Sequence, residues 1–367
     1  MIYLDHSATS PMKQATVEAM WPYFTEYFAN ASSQHEAGKL AAAGLHAARQ
    51  VVAEILNAEP TEILFTSGGT EGDNLAIKGL SLAAPRGRHL VTSAIEHEAV
   101  LESCDYLCRH HGFRVTKIRV DKEGFVDLEA LARSLDADTT LCSIQHANNE
   151  VGTVQPINEI AKLCEEKGVP LHVDAVQSAG LLPLPDVDLL SVSAHKFGGP
   201  KGVGVLRKKS TVFLEPLLHG GGQESGLRSG TSNVAGAVGL AAALHAATEQ
   251  QNTIKSYLGN LRDQLVNGVL GAWPTAVLTG SAVHRLPHHA SFCFPGVSGE
   301  SVLLDLEAHG IACSSGSACA AGNQEPSPVL VAMGFEPELA ETAVRFTLGP
   351  ENTAEEIERV LDYFRTR

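Results

Sequence analysis

Short apolar, β-branched runs alternate with helical patterns between about residues 60 and 210, and this alternation constrains the fold more than any other feature. The strand-like runs are 63–66, 89–92, 115–118, 140–144, 171–174, 189–192 and 203–206. The helical patterns among them cover 74–83, 98–110, 127–135 and 157–167. Alternation of this kind predicts a mainly parallel sheet covered by helices, which places the chain in the α/β class.

Several of the predicted strands end directly in polar or glycine-rich residues. The segments that follow them are 66–70, 146–150, 174–177 and 193–196. In an open α/β sheet, ligands bind beyond the carboxyl ends of the strands. The sequence therefore predicts one shared pocket to which all four segments contribute.

The chain is long enough for more than one domain. At 367 residues, two or three domain-sized units are expected. An alanine-rich helical pattern at 233–250 leads into another at 254–270, and shorter strands and helices then continue to a final helix at 353–367. We predict a large domain over 15–250 and a smaller α+β domain formed by 1–14 and 251–367.

The charge of the chain argues against one class of partner. Lysine and arginine number 27 against 42 aspartate and glutamate residues, which gives a formal net charge of −15. A field of this sign repels the phosphates of nucleic acids. Direct binding of DNA or RNA is therefore not expected.

Cysteine usage and hydropathy indicate the compartment. The seven cysteines are an odd number and form no CxxC pair, which is typical of a protein in a reducing cytoplasm. The first residues lack a basic segment followed by an apolar one, and no run of about 18 apolar residues occurs. We expect neither secretion nor a membrane span.

Two of the predicted strand ends suggest a phosphate-bearing cofactor. The turn 67–71 lies between a strand and a helix, so that its backbone N–H groups and the Thr70 hydroxyl are suited to hold a phosphate, although such turns also serve only to reverse the chain. Asp174 ends an apolar run, where a buried carboxylate needs a cationic partner. The protonated pyridine nitrogen of pyridoxal phosphate (PLP) is one such partner, and the alternative is a helix cap or a surface group.

Lys196 is the candidate for covalent attachment of that cofactor. It follows Ser193 and His195 and precedes the glycine-rich stretch 197–202, where small residues let a cofactor approach the backbone. A Schiff-base lysine suits this setting, and Ser193 and His195 are then available as hydrogen-bond donors to a phosphate. The competing interpretation is a solvated surface lysine.

Taken in order, these segments resemble the cysteine desulfurases of the class V aminotransferase fold, in the bacterial group that includes the nitrogen-fixation and iron–sulfur housekeeping enzymes. The resemblance covers almost the whole chain. It implies a type I PLP-dependent transferase fold, pyridoxal 5′-phosphate as cofactor, and conversion of L-cysteine to L-alanine with transfer of the sulfur to an acceptor protein. The segments that carry it are 3–9, 30–33, 66–74, 96–97, 146–150, 172–177, 193–196, 228–231, 314–319 and 345–346.

The resemblance also implies roles for individual residues around the cofactor ring. Lys196 forms the Schiff base, and Asp174 pairs with the pyridine nitrogen. Gln177 donates a hydrogen bond to the phenolate oxygen of the ring. His97 stacks on the ring and takes part in proton transfer, and Asn148 is a further cofactor contact.

A second set of implied roles concerns the phosphate and the substrate. Substrate cysteine is held through its carboxylate by Asn148 and Arg345, which suits the two-pronged geometry of a guanidinium. The family is homodimeric, and a threonine of the partner subunit, at the position of Thr231 here, completes the phosphate site. The other residues at the phosphate are Gly69, Thr70, Ser193 and His195.

The segment 313–322 is rich in serine, glycine and alanine, and this composition predicts a mobile catalytic loop over about 313–327. By the resemblance, Cys319 is the nucleophile that takes the sulfur as a persulfide, and Cys313 is a bystander. Small polar neighbours argue against a buried structural cysteine at this position.

Other interpretations stay open at the level of the sequence. The same scaffold serves a selenocysteine lyase, and a PLP-holding scaffold that mainly recruits partners is the alternative outside catalysis. The destination of the sulfur is also open, because iron–sulfur assembly, tRNA thiolation and phosphorothioate modification of DNA would use the same core chemistry.

Overall fold

The computed structural model describes residues 1–83, 85–315 and 326–366. The strands are β1 (Ile2–Tyr3), β2 (Ile63–Thr66), β3 (His89–Ser93), β4 (Arg114–Ile118), β5 (Thr139–Gln145), β6 (Leu171–Asp174), β7 (Leu189–Ser193), β8 (Gly204–Lys208), β9 (Val277–Leu278), β10 (His289–Cys293), β11 (Ile311–Ala312) and β12 (Ala343–Thr347). The α-helices are α1 (Gln14–Met20), α2 (Pro22–Thr25), α3 (Glu36–Ile55), α4 (Gly69–Asn74), α5 (Leu80–Ala83), α6 (Glu98–His111), α7 (Leu128–Ser134), α8 (Ile157–Glu166), α9 (Val234–Glu249), α10 (Gln251–Ala272), α11 (Gly299–Ala308), α12 (Pro328–Ala332), α13 (Pro337–Ala340) and α14 (Ala354–Arg365). A π-helical turn (Leu75–Gly79) joins α4 to α5, and 3₁₀ turns span Pro60–Glu62, Ala194–Lys196 and Glu224–Gly226.

A seven-stranded sheet in the order β2-β8-β7-β6-β5-β3-β4 forms the centre of the fold. The five strands from β7 to β4 are parallel to one another, and β8 runs antiparallel to both of its neighbours. Every residue of β2, β3, β5, β6 and β7 is buried, because helices cover both faces. The mainly parallel α/β sheet predicted from the sequence is confirmed.

Helices α3 and α9 pack together on one side of this sheet, and their close approach follows from small side chains. The buried face of α3 consists largely of glycine and alanine, including Gly38, Ala41 and Gly44. The sequence of α9 is almost entirely alanine, glycine, valine and leucine, and most of it is buried. Both helices contribute to the largest hydrophobic core, which also holds the side chains of β5, β6 and β7.

A second hydrophobic core belongs to the two ends of the chain. There β12 and β9 flank β10 in an antiparallel sheet, and β1 pairs with β11 in parallel. Phe292, Phe346 and Phe364 lie at the centre of this core, with side chains from α10, α11 and α14 around them. The first residues of the chain thus pack with residues after 250. The boundaries of the two domains remain a prediction.

Long apolar helices of the kind that would cross a bilayer do not occur in the described parts of the chain.

The polar ends of β5, β6 and β7 lie side by side, because Gln145 is in register with Asp174 and Asp174 with Ser191. This arrangement places the functional side chains at the carboxyl edge of the central sheet, where sheets of this class bind ligands.

Candidate active site

An open cavity of about 270 Å³ lies at the carboxyl ends of β5, β6 and β7. All four predicted segments contribute to its wall, together with the N-terminal residues and a strand of the small sheet. The lining residues that enter the argument are Ser7, Ala8, Gly69, Thr70, Asp73, His97, Asn149, Asp174, Gln177, Ser193, His195, Lys196 and Arg345.

Lys196 and Asp174 line the same cavity, although they lie on different elements. Asp174 is the last residue of β6, and Lys196 ends the 3₁₀ turn that follows β7. The Lys196 ammonium donates hydrogen bonds to the carbonyl oxygens of Ser7 and of Ala8, the latter at 3.0 Å. Backbone carbonyl groups near the N-terminus thus hold the Lys196 ammonium at the cavity wall.

Asp174 is a buried carboxyl whose environment favours a cationic ligand. Its Oδ1 accepts a hydrogen bond from the Val176 N–H at 2.9 Å. Burial raises the pKa of Asp174, and the Val176 bond and the nearby His97 and Lys196 side chains oppose that rise. A cation inside the cavity would stabilise the ionised form further, and the pyridinium of PLP has the required charge.

The turn after β2 comes very close to the turn after β6. A side chain at Gly69 would place its Cβ 2.5 Å from Val176 Cγ2, so any larger residue would force Val176 to move. Thr70, Ser193 and His195 then line the cavity as hydroxyl and imidazole donors. Burial, with Lys196 and Lys201, lowers the pKa of His195 to about 4, so the free site holds a neutral imidazole, whose Nδ1 lies 3.2 Å from Thr9 Oγ1. This donor set fits a phosphate.

His97 and Gln177 occupy defined orientations in the wall. His97 caps α6, and its Nδ1 accepts the Ala99 N–H at 3.1 Å. A neutral His97 therefore carries its proton on Nε2. Gln177 donates from Nε2 to the Ser7 carbonyl at 3.1 Å.

Arg345 brings a buried guanidinium to the cavity from β12. Its Nη1 donates to the Asn149 carbonyl at 3.0 Å, and its Nη2 pairs with Asp5 Oδ1 at 2.9 Å. Arg345 Nε is buried without a hydrogen-bond partner among the described residues. An unpaired donor on a cation that is 1% exposed fits a site for a carboxylate ligand.

Two predicted site residues, Asn148 and Thr231, are not part of the described wall, and a third lies outside the described residues. The Asn148 side chain is completely buried in its own turn, where Nδ2 donates to the Ile95 carbonyl and Oδ1 accepts the N–H groups of Glu150 and Val151. Its neighbour Asn149 lines the cavity instead. Thr231 is exposed to solvent in the single chain, and Cys319 lies outside the described residues. The predicted roles of all three stay predictions.

The six cysteines that the structure describes are unpaired thiols, and most are unsuited to nucleophilic chemistry. Burial raises the pKa of Cys313 to about 12, with Asp5 adding to the rise and Arg345 opposing it. Burial also raises the pKa of Cys104 to about 12 and that of Cys293 to about 11. A thiol must lose its proton to attack, so the raised pKa values disfavour these three as nucleophiles at neutral pH.

Sequence reasoning missed two acidic residues beside the site, Asp73 and Glu96. Both lie in segments that carry the family resemblance, but neither had been given a role. Glu96 is buried behind His97, and its Oε1 accepts a hydrogen bond from Ser93 Oγ at 2.5 Å. Their spacing from Thr70 and His97 was visible in the sequence, whereas their complete burial was not.

Glu96 makes the stability of the fold depend on pH. Burial raises its pKa from the ordinary 4.5 to about 8. The folded chain therefore retains a proton that the unfolded chain loses, so the free energy of unfolding falls as the pH rises from about 4.5 to 8. We expect Glu96→Gln, which keeps an acceptor for Ser93, to raise that free energy by roughly 3 kcal/mol at pH 7.5 and by less than about 1 kcal/mol at pH 5. Denaturant unfolding of both proteins at the two pH values measures this difference, and an equal effect at both would contradict the burial argument.

Comparison with known proteins agrees with the geometry of the site. The chain matches the class V aminotransferase family over residues 2–360. Cysteine desulfurase IscS of Dictyoglomus turgidum is 44% identical over 366 residues, which cover 98% of this chain and 93% of that protein. Among solved structures, a NifS-like protein has a TM-score of 0.93 at 38% identity, covering 100% of this chain and 98% of the other. SspA in complex with cysteine has a TM-score of 0.82 at 34% identity, covering 96% of this chain and 100% of the other.

The chain therefore belongs to the class V aminotransferase family. Within that family its relatives are cysteine desulfurases, which are PLP-dependent enzymes. The family resemblance, the type I fold and the cofactor predicted from the sequence are confirmed.

Proposed function

We propose that this chain is a PLP-dependent cysteine desulfurase, which converts L-cysteine to L-alanine and takes the sulfur onto Cys319 as a persulfide. The observation that carries the proposal is the single cavity lined by Lys196, Asp174, His97 and Arg345. A covalent anchor, an anionic partner for a ring cation, a proton carrier and a carboxylate receptor are the groups that PLP chemistry on an amino acid requires.

Two groups of residues would hold the cofactor. Lys196 would bond to it, Asp174 would pair with its pyridine nitrogen, and Gln177 and His97 would contact the ring. Gly69, Thr70, Ser193 and His195 would hold the phosphate, whose charge would raise the affinity of the neutral His195 for a proton. Bound PLP supplies an electron sink that stabilises negative charge on the α-carbon of the substrate.

Arg345 recognises the substrate through its carboxylate. The Nε of this guanidinium has no partner among the described residues, and its Nη2 is paired with Asp5. A substrate carboxylate would therefore compete with Asp5 for Nη2, and a small movement of the guanidinium would bring the unpaired Nε within its reach. Asn148, which the family resemblance places in the same role, would have to leave its hydrogen bonds within the turn.

Proton transfer falls to two side chains on the cavity wall. Lys196, with its amino group free, would be the base that removes the proton from the α-carbon of the substrate. His97 presents Nε2, because its Nδ1 accepts the Ala99 N–H, and Nε2 is therefore the atom that exchanges a proton with a thiol in the cavity.

Cys319 is the nucleophile. Its thiolate attacks the sulfur of the bound cysteine, so an S–S bond forms while the C–S bond of the substrate breaks. The electron pair of the C–S bond remains with carbon, which takes a proton and leaves as alanine. The terminal sulfur of the persulfide then passes to a thiol of an acceptor protein.

The partners and the compartment extend the proposal. A homodimer would bring Thr231 of each subunit to the phosphate of the other, which agrees with the solvent exposure of Thr231 in the single chain. A reducing cytoplasm suits the unpaired thiols of the described residues.

Release of alanine from L-cysteine tests the proposed function directly. The purified protein with PLP is incubated with L-cysteine and excess dithiothreitol, and alanine and sulfide are measured. We expect equal amounts of both. Cysteamine, which lacks the carboxylate, is the matched control and should react at least about 100-fold more slowly, because it cannot bind Arg345. A protein with fully bound PLP that releases no alanine would overturn the proposal and favour the scaffold interpretation.

A further inference from the structure

Asp73 is a second acidic residue in the wall of the cofactor cavity. It lies in α4, one helical turn after Thr70, so both side chains project from the same face of the helix. The helix packs tightly on β7 there, since a Cβ at Gly72 would lie 3.0 Å from Ser191 Oγ. Asp73 lines the cavity together with Asp174.

The Asp73 carboxyl is buried, and one of its oxygens is unpaired. The residue is 1% exposed, and its Oδ1 has no hydrogen-bond partner among the described residues. An isolated polar atom of this kind costs free energy unless a ligand or a neighbouring group satisfies it. The oxygen is also closed to solvent, so only a proton or a neighbouring group of the protein can satisfy the carboxyl.

Among the residues that the structure describes, no cation balances a charge on Asp73. His172 Nε2 lies 3.6 Å from Asp73 Oδ1, a distance that suggests an ion pair. However, the two nitrogens of His172 are already hydrogen-bonded to Ser143 Oγ at 2.8 Å and Ser191 Oγ at 3.0 Å. Burial lowers the pKa of His172 to about 3, so this imidazole is neutral.

Asp73 therefore retains its own proton. Burial raises its pKa well above the ordinary value, and the negative charges of Asp174 and Glu96 add to the rise, while a hydrogen bond with Ser191 opposes it. Two carboxyl groups close together in a dry site do not both ionise. Of the two described carboxyl groups that line the cavity, Asp174 is the one whose surroundings include the Lys196 ammonium.

We propose that Asp73 is a positioning residue for the cofactor: a carboxylic acid beside Asp174 that supplies a hydrogen-bond donor to this end of the cavity and leaves Asp174 as its single anion. This inference rests on the proposed function, because it assigns to Asp73 a part in holding PLP. The pyridine nitrogen then faces one negative charge, and the proton of Asp73 stabilises that charge.

The affinity of the apoprotein for PLP tests this role without reference to turnover. Asp73→Asn keeps a neutral donor of the same shape, whereas Asp73→Ala removes the donor. We expect Asp73→Asn to bind PLP within about twofold of the unchanged chain, and Asp73→Ala to bind it about 10- to 100-fold more weakly, the loss typical of a hydrogen bond to a charged group. Ser81→Ala is the matched control, because Ser81 Oγ is also buried and unpaired on α5 but does not line the cavity.

Two spectroscopic measurements separate this role from a structural one. The infrared band of a protonated carboxyl should be present in the apoprotein between pH 6 and 8 and should lose intensity in Asp73→Asn. The absorbance of bound PLP should be independent of pH over that range in the unchanged chain and in Asp73→Asn, and should vary with pH in Asp73→Ala. Far-ultraviolet circular dichroism of each apoprotein checks that the variants are folded.

Two results would overturn the inference. Equal weakening of PLP binding by Asp73→Asn and Asp73→Ala would mean that Asp73 acts as a carboxylate, and unchanged binding in Asp73→Ala would mean that it has no part in the site. If Asp73→Ala does not fold, the infrared band and the PLP affinity of Asp73→Asn still test the inference. A failure of the unchanged chain to bind PLP would instead refute the proposed function.

Discussion

Replacement of Lys196 by alanine is expected to lower alanine release from L-cysteine by at least about 1,000-fold, because it removes both the covalent anchor of the cofactor and the base at the α-carbon. The ammonium group of Lys196 is the cavity-lining amine that the carbonyls of Ser7 and Ala8 hold beside Asp174. The variant should still bind PLP through its other contacts, but without the visible absorbance of a lysine-bound cofactor.

The measurement for Lys196→Ala combines steady-state alanine release with absorbance spectra of the protein after gel filtration. Lys167→Ala, which changes an exposed lysine just after α8, is the matched control and should retain both activity and spectrum. Persistence of the lysine-bound absorbance in Lys196→Ala would contradict the assignment, because another amine would then carry the cofactor.

Cys319→Ser is expected to abolish persulfide formation and to reduce alanine release from L-cysteine by at least about 100-fold. A serine hydroxyl does not attack sulfur at neutral pH, so the C–S bond of the substrate remains intact. The lysine-bound cofactor spectrum should be unchanged, since Cys319 takes no part in holding PLP. Rates of alanine release and absorbance spectra of the variant measure both expectations.

Cys313→Ser is the matched control for the second thiol of the same segment. Burial holds the Cys313 thiol protonated, and we therefore expect this variant to retain most of the activity. Full activity in Cys319→Ser together with loss in Cys313→Ser would exchange the two roles. Selenocysteine distinguishes the remaining rival activity, because Cys319→Ser should spare alanine release from selenocysteine if only the persulfide route needs the thiol.

Much of the fold was predictable because each central strand is buried on both faces. The predicted strand at 140–144 lies within β5, and 171–174 coincides with β6. The antiparallel direction of β8 was not predictable, because strand direction depends on pairing partners and leaves no local pattern. The helical segment predicted at 74–83 begins earlier in the structure, at Gly69, and contains the π-helical turn. The sequence pattern missed this start because the first residues of the helix also form the glycine-containing turn that packs on Val176, just after β6.

The site residues that follow strand ends could be predicted from the sequence. The properties that depend on burial, such as protonation and hydrogen bonding, could not. Asp174, Ser193 and Lys196 line one cavity because β6 and β7 are neighbours, and that neighbourhood follows from the α/β alternation. The burial of Asp73, which raises the pKa of its carboxyl, and the hydrogen bonds of Asn148 within its turn arise from packing in three dimensions, to which no sequence pattern corresponds.

The central claim is that Cys319 receives the sulfur, and mass spectrometry of the cysteine-treated protein tests it most directly. Trypsin releases residues 286–345 as one peptide with three cysteines, Cys293, Cys313 and Cys319, so fragmentation must locate the modified residue. The unchanged chain should carry one added sulfur atom on Cys319, and Cys319→Ser should carry none. Added sulfur on Cys293 or Cys313, or an unmodified peptide from a protein that releases alanine, would contradict the claim.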